Sequence, residues 1–520
     1  MAEYLKEKST KMQPYLRKVI SSYVACLLVV TLVPQIAMAQ NSKKPNILFV
    51  MSDQWRKQAI GFMNEDPVLT PNLDEFSKEA IVFRNAVTNR PICTPSRACM
   101  LTGQYPVNNA VLSNGLRMSS KSLTLGDIAK KEGYSTAYIG KWHLDGKDEG
   151  YVPPERRHGF DYWIMSNHHN PFGQKYYIQD DQKFTVVKNS WEPDWITDKA
   201  IDYLKTLNDK PFCMVVSYGP PHTGGGSGFE DRWQPGKRDK KGEIKFGYGY
   251  AAPEKWEKLY AEPEKLPRRK NVKPVGKPQD PSVQTLPGYF GAISSIDHNF
   301  GRMIKFLKDK NMFDNTIIVF TSDHGEMLGS HGRMTKGIWY EESVGIPCLI
   351  SYKNKVKPMT MTNPFSTVDM TPTILGLAGI KVPEMMDGYD FSKLMEGKND
   401  KVPEFAFCSF DQGSPNTGDR SWRSVYTTRY IYILAKPEAY KSDGINEDGR
   451  VLYDKEKDPY QTNPIYKGMG YDDKMDELHE ILIKHLDKTN DPFIALQWKT
   501  DIKPKYFYTD AFNYAKTPKE

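Results

Sequence analysis

Cys93, Pro95 and Arg97 stand together in the stretch RPICTPSRACMLTGQY, Arg90 to Tyr105, among small, hydroxyl-bearing and basic residues. A thiol in such company has three chemical readings: a structural thiol, a thiolate nucleophile, or the precursor of a modified side chain. The chain has six cysteines; Cys26 falls in an apolar N-terminal run, which leaves Cys93, Cys99, Cys213, Cys348 and Cys408. An odd number in an exported chain leaves at least one without an intramolecular partner. Their scatter matches no zinc-ligand spacing. A second group consists of Asp53, Asp323 and His324, with Gln54 beside the first; each set follows a short apolar run. A lone Asp after a strand is more often a helix cap. Two carboxylates from separate strand ends, with an amide oxygen, instead suit a hard divalent cation.

The elements that must position these groups are legible as alternating helices and buried strands. Ile47 to Met51 is a continuous apolar run that ends in Ser52-Asp53-Gln54, as a central strand covered on both faces would. The pattern returns in STAYIG, ending at Lys141-Trp142-His143, in PFCMVVSYGPPH, ending at His222, and in TIIVFTSD, ending at Asp323-His324. Open α/β sheets place ligands at the carboxyl ends of their strands. The fold class is therefore α/β: a doubly wound, mostly parallel sheet flanked by helices. Residues 223–285, rich in Gly, Pro and Lys without periodicity, read as a surface excursion near the site. From about Pro403 the pattern becomes alternating and β-branched, and DDKMDELHEILIKHLDKT has helical spacing. This predicts a catalytic domain over 44–400 and a smaller C-terminal antiparallel-sheet-plus-helix subdomain over 401–520.

Composition narrows the class further. Arg17 and Lys18 precede an apolar run ending in Ala37-Met38-Ala39 before Gln40. Residues 1–39 read as a secretory signal peptide, so the mature chain is exported, periplasmic or secreted. No second stretch has the length and apolarity of a membrane span. The net charge of +7 on 520 residues is interleaved with acids, which argues against nucleic-acid binding.

Taken together, CTPSR, its extension LTGQYP, the NILFVMSDQ strand, GKWHL and the TSDHGEMLGSHG loop resemble, in order and spacing, the type I, formylglycine-dependent sulfatases of the alkaline phosphatase superfamily. The resemblance spans roughly residues 44 to 490. It implies that a maturation enzyme oxidises Cys93 to Cα-formylglycine (3-oxoalanine), whose hydrate attacks sulfur. It further implies one Ca2+ held by Asp53, Gln54, Cys93 in its modified form, Asp323 and His324. Arg97 would hold the hydrate, Lys141 and Lys336 would bind sulfate oxygens, His143 would take a proton as sulfate leaves, and His222 would give one to the departing alcohol. Gln54 and His324 stand where many members have Asp and an amide, respectively. The implied function is an exported sulfatase releasing sulfate from O-sulfate esters, with sulfated carbohydrate as the expected substrate. A phosphonate monoester or phosphodiester hydrolase and a non-catalytic sulfated-glycan-binding relative are the alternatives. His331, and the His-rich stretch 167–177, are weighed between substrate contact and loop structure, the latter being commoner.

Overall fold

A computed structural model of the chain describes residues 43–146, 150–167, 175–187, 190–208, 210–223, 250–273, 281–414 and 418–493. The leader, most of the 167–177 stretch and much of the 223–285 excursion lie outside these residues. Ten strands form the principal sheet: β1 (Asn46–Asp53), β2 (Ile81–Phe83), β3 (Ser135–Lys141), β4 (Tyr162–Ser166), β5 (Lys175–Ile178), β6 (Thr185–Val186), β7 (Phe212–Pro221), β8 (Thr316–Ser322), β9 (Cys348–Ser351) and β10 (Met359–Met361). Their order is β10-β2-β9-β8-β1-β7-β3-β4-β5-β6. The central run β8-β1-β7-β3-β4 is parallel throughout, whereas β9 runs antiparallel to β8 and β5 to β4.

The alternation within each strand explains why both faces are covered. Ile47, Phe49 and Met51 of β1 join one core with Ala98, Leu101, Leu125 and Ile374; Leu48 and Val50 join another with Ile196, Ile293 and Ile296. The first face carries α2 (Cys93–Thr102), α3 (Leu125–Lys131) and α6 (Met370–Leu377), and the second carries α1 (Pro71–Ser77), α4 (Glu192–Thr206) and α5 (Leu286–Asp309). A doubly wound, mostly parallel sheet is what the sequence pattern predicts.

The second sheet is antiparallel, in the order β11 (Phe405–Ser414), β12 (Gly418–Thr427), β13 (Tyr430–Ala435), β14 (Arg450–Asp454). Met475, Leu478, Leu482 and Leu486 of α7 (Asp472–Lys488) recur at helical spacing and pack on its Val425, Tyr432 and Leu434. The other face meets Met327, Ile338, Trp339 and Tyr340, so the sheet backs the loop that carries Lys336. The expected C-terminal sheet and helix are therefore present. Among the described residues, no helix is long and apolar enough to cross a membrane.

Candidate active site

Five elements converge where the parallel strands end. Asp53 closes β1, Lys141 closes β3, His222 follows β7 and Asp323 follows β8. Cys93 is the first residue of α2, and all ten residues of that helix are buried. The N-terminus of α2 favours negative charge on Cys93.

Arg97, one turn into α2, links the ends of four strands. Its Nε donates to Asp323 Oδ2 at 3.0 Å, Nη2 to Asp53 Oδ2 at 3.2 Å, and Nη1 to Lys141 O at 2.7 Å and Ser217 Oγ at 2.8 Å. Lys141, only 3% exposed, donates to the same Asp53 oxygen at 2.6 Å. Burial raises the cost of a charge on Asp53, yet Lys141, His222, Arg97 and His324 outweigh it and hold the carboxyl well below its usual range. Burial and the charge of Asp53 push Asp323 the other way, above the usual carboxylate range.

Cys93 Sγ lies 3.5 Å from Asp53 Oδ1 and 3.2 Å from His324 Nε2, and it lies close enough to His143 and His222 to favour the charged form of each ring. Burial and Asp53 disfavour a thiolate here, but Lys336, Lys141 and His324 overcome them and bring the thiol well below its ordinary value. Burial together with Lys336 lowers the half-buried His222 to about 4. His143 is likewise lowered, mainly by burial.

Asp53, Cys93, Asp323 and His324 place one ligand atom each within 4.8 Å of one another, all buried. The donor set fits a cation. His324 Nδ1 donates to the Gly325 carbonyl at 3.0 Å, so the ring presents Nε2 to the cluster. Nε2 lies 3.6 Å from both Asp53 Oδ1 and Asp323 Oδ1; burial opposes a charge on the ring, but Asp323 outweighs it and raises its pKa. A cation bound between the carboxylates would take the place of that ring proton and leave Nε2 as a ligand. Gln54 is also held here, at φ 71°: its backbone N–H donates to Asp323 Oδ1 at 3.1 Å, and its side-chain Oε1 accepts from Lys336 Nζ.

The expected catalytic and metal-binding residues, Asp53, Gln54, Cys93, Arg97, Lys141, His143, His222, Asp323, His324 and Lys336, thus meet at one place. Three further residues, Ser217, Tyr250 and Glu326, carried no comparable signal. Ser217 orients Arg97, while Tyr250 and Glu326 both bind the Gln54 amide. Glu326 stood in the TSDHGE loop without an assigned role, and Tyr250 lay in the aperiodic excursion. His331 stacks on Tyr340 with centroids 3.6 Å apart and contacts Asn271 Nδ2 at 3.1 Å, so it braces its loop.

A mostly parallel sheet with a buried thiol at a helix start, ringed by carboxylates, imidazoles and ammonium groups, forms a site suited to an anionic substrate. The family comparison makes that specific: the chain belongs to the sulfatase family, whose model matches residues 45–380, and is a sulfuric ester hydrolase. A second model, the N-sulphoglucosamine sulphohydrolase C-terminal family, matches residues 329–488. The chain is 33% identical to an ulvan-active sulfatase of Formosa agariphila, over 91% of this chain and 85% of that one. It is 29% identical to an endo-4-O-sulfatase of Bacteroides thetaiotaomicron, over 82% and 89% of the respective chains. A solved structure in complex with its substrate D-glucosamine-2-N,6-O-disulfate superposes with a TM-score of 0.69 at 26% identity, covering 86% of this chain and 99% of that one.

Proposed function

We propose that the protein is an exported sulfatase that removes O-sulfate from sulfated carbohydrates, using Cys93 after its oxidation to Cα-formylglycine by a maturation enzyme. The observation that carries this reading is the position of Cys93: buried, first in α2, contacted by Asp53 and His324, and within electrostatic reach of His143 and His222. The relatives named for ulvan and for endo-4-O-sulfate activity support a carbohydrate substrate. Converted and hydrated, residue 93 supplies two hydroxyls on one carbon, one to displace the alcohol from sulfur and one whose deprotonation expels sulfate. A Ca2+ held by Asp53, Asp323, His324, Gln54 and the modified residue 93 supplies polarisation of a sulfate oxygen.

The remaining roles follow from charge and position. Arg97 orients the acids through its fixed fork and keeps residue 93 between them. Lys141 and Lys336 supply positive charge where sulfate oxygens gather it. His143, held neutral by burial, is suited to accept the proton of the second hydroxyl. His222 is neutral in the free site because burial and Lys336 disfavour its charge. A bound sulfate offsets that lysine charge and so favours on His222 the proton that the ring would give to the leaving alcohol. A panel of defined mono- and disaccharide sulfates, read out as free sulfate, tests the reading; release from aryl esters alone would remove the carbohydrate part of it. Mass analysis of the mature protein should show a loss of about 18 Da at Cys93.

A further inference from the structure

We propose that Glu326 is a positioning residue that fixes which end of the Gln54 carboxamide faces the reacting groups; this rests on the cation reading of the Asp53, Asp323 and His324 cluster. The two ends of a carboxamide are nearly alike in shape but opposite in chemistry, since the oxygen accepts and the nitrogen donates. Only the oxygen can serve a cation. At position 54 the neighbours decide the matter. Nε2 donates to Glu326 Oε2 at 2.5 Å and to Tyr250 Oη at 2.7 Å, while Oε1 accepts from the Lys336 ammonium. A flip would set the amide oxygen against a carboxylate and the NH2 against an ammonium. In this structure the oxygen already receives one cation, the Lys336 side chain.

Glu326 is suited to this task because it is itself immobilised. Its carboxylate is wholly buried; Oε2 also receives the Tyr250 hydroxyl at 2.5 Å, and Oε1 receives the backbone N–H groups of Leu328 at 2.9 Å and Thr335 at 2.7 Å. Four donors occupy the acceptor positions of one carboxylate, which fixes its orientation toward the Gln54 NH2. The bond to Thr335 also anchors the backbone beside Lys336, so one side chain steadies both the amide oxygen and its ammonium partner. The pairing further explains the amide at position 54. Asp there would be too short to reach Glu326, and Glu would set two carboxylates against each other.

The test is a calorimetric Ca2+ titration of chelator-stripped full-length protein, with thermal melts as a folding control. It compares wild type, Gln54→Ala, Glu326→Gln and the double variant. Each single change is expected to weaken Ca2+ binding by about 10-fold or more, and the double variant to bind no more weakly than Gln54→Ala alone. Unchanged affinity in Glu326→Gln, or additive losses in the double variant, would overturn the lock while leaving the cation reading in place. Absence of Ca2+ binding by the wild type would overturn both. Should Glu326→Gln fail to fold, Glu326→Asp replaces it in the cycle: it keeps the charge but withdraws it by one methylene. The same loss is expected, and wild-type affinity would contradict the proposal.

Discussion

Burial alone drives cysteine thiols upward, and in this protein it does so at Cys99 and Cys213, each pushed up to about 12. Cys93 departs from them because Lys336, Lys141 and His324 surround it. The same residues bear on the proton traffic assigned to His222. If His222 protonates the leaving oxygen, its loss matters most where that oxygen leaves poorly. His222→Ala is therefore expected to cut kcat on a sugar sulfate by about 10²–10⁴-fold and to spare a nitrophenyl sulfate by comparison. Equal losses on the two esters would assign the ring to binding. At this scale the sequence was most legible where the chemistry is local: Cys93 and Arg97 lie one helical turn apart and announce themselves as a motif. Glu326 and Tyr250 act through Gln54 from positions 272 and 196 residues away, and no spacing rule reaches that far.

Elements set how far such groups can move. Lys141 is delivered by β3, which lies so close to β7 that a Cβ on Gly140 would meet Ser217 O at 2.0 Å, and Gly140 has φ +118°. Both observations require glycine. Gly140→Ala should cost about 3 kcal/mol or more of stability and lower sulfate release through Lys141 and Ser217, as denaturant melts and turnover would show. A second element-level feature is Glu341, which joins Lys57, 2.8 Å away beyond β1, to Lys455 at 3.4 Å, just past β14. Burial opposes its charge, but Lys57 and Lys455 lower its carboxyl from 4.5 to about 2. A depressed carboxyl stabilises the fold above its unfolded value and loses that contribution as pH falls toward the folded one; here the window runs from 4.5 down to about 2. Burial lowers the pKa of the partner Lys455, so the cost of burying that ammonium offsets part of the gain. Glu341→Gln should thus lower the urea midpoint at pH 7, with the gap from wild type narrowing below pH 4.5. The strands that carry the site were readable because each is a continuous apolar run ending in polar groups. The antiparallel direction of β9 was not, since apolarity records burial and not polarity of pairing.

In the whole molecule, the two sheets complete one another at the Lys336 loop. Trp422 Nε1 donates to Gly337 O at 3.3 Å, Tyr426 donates to Trp339 O, and a Cβ on Gly337 would touch Phe410 at 2.8 Å. The smaller sheet therefore supports the active site directly. A chain ending at residue 400 would leave Ile338, Trp339 and Tyr340 bare and is expected to be insoluble or inactive, as expression and turnover of that fragment would reveal. The sequence announced this sheet by its alternation, but its placement against Lys336 depends on packing between segments far apart in the chain. What unites the scales is the proposal that residue 93 is the origin of the nucleophile. The most direct measurement is sulfate release by Cys93→Ala beside wild type on the same sulfated sugar, with circular dichroism confirming an unchanged fold. The account predicts turnover by the wild type and none above background by the variant. Substantial sulfate release by the folded variant would contradict it.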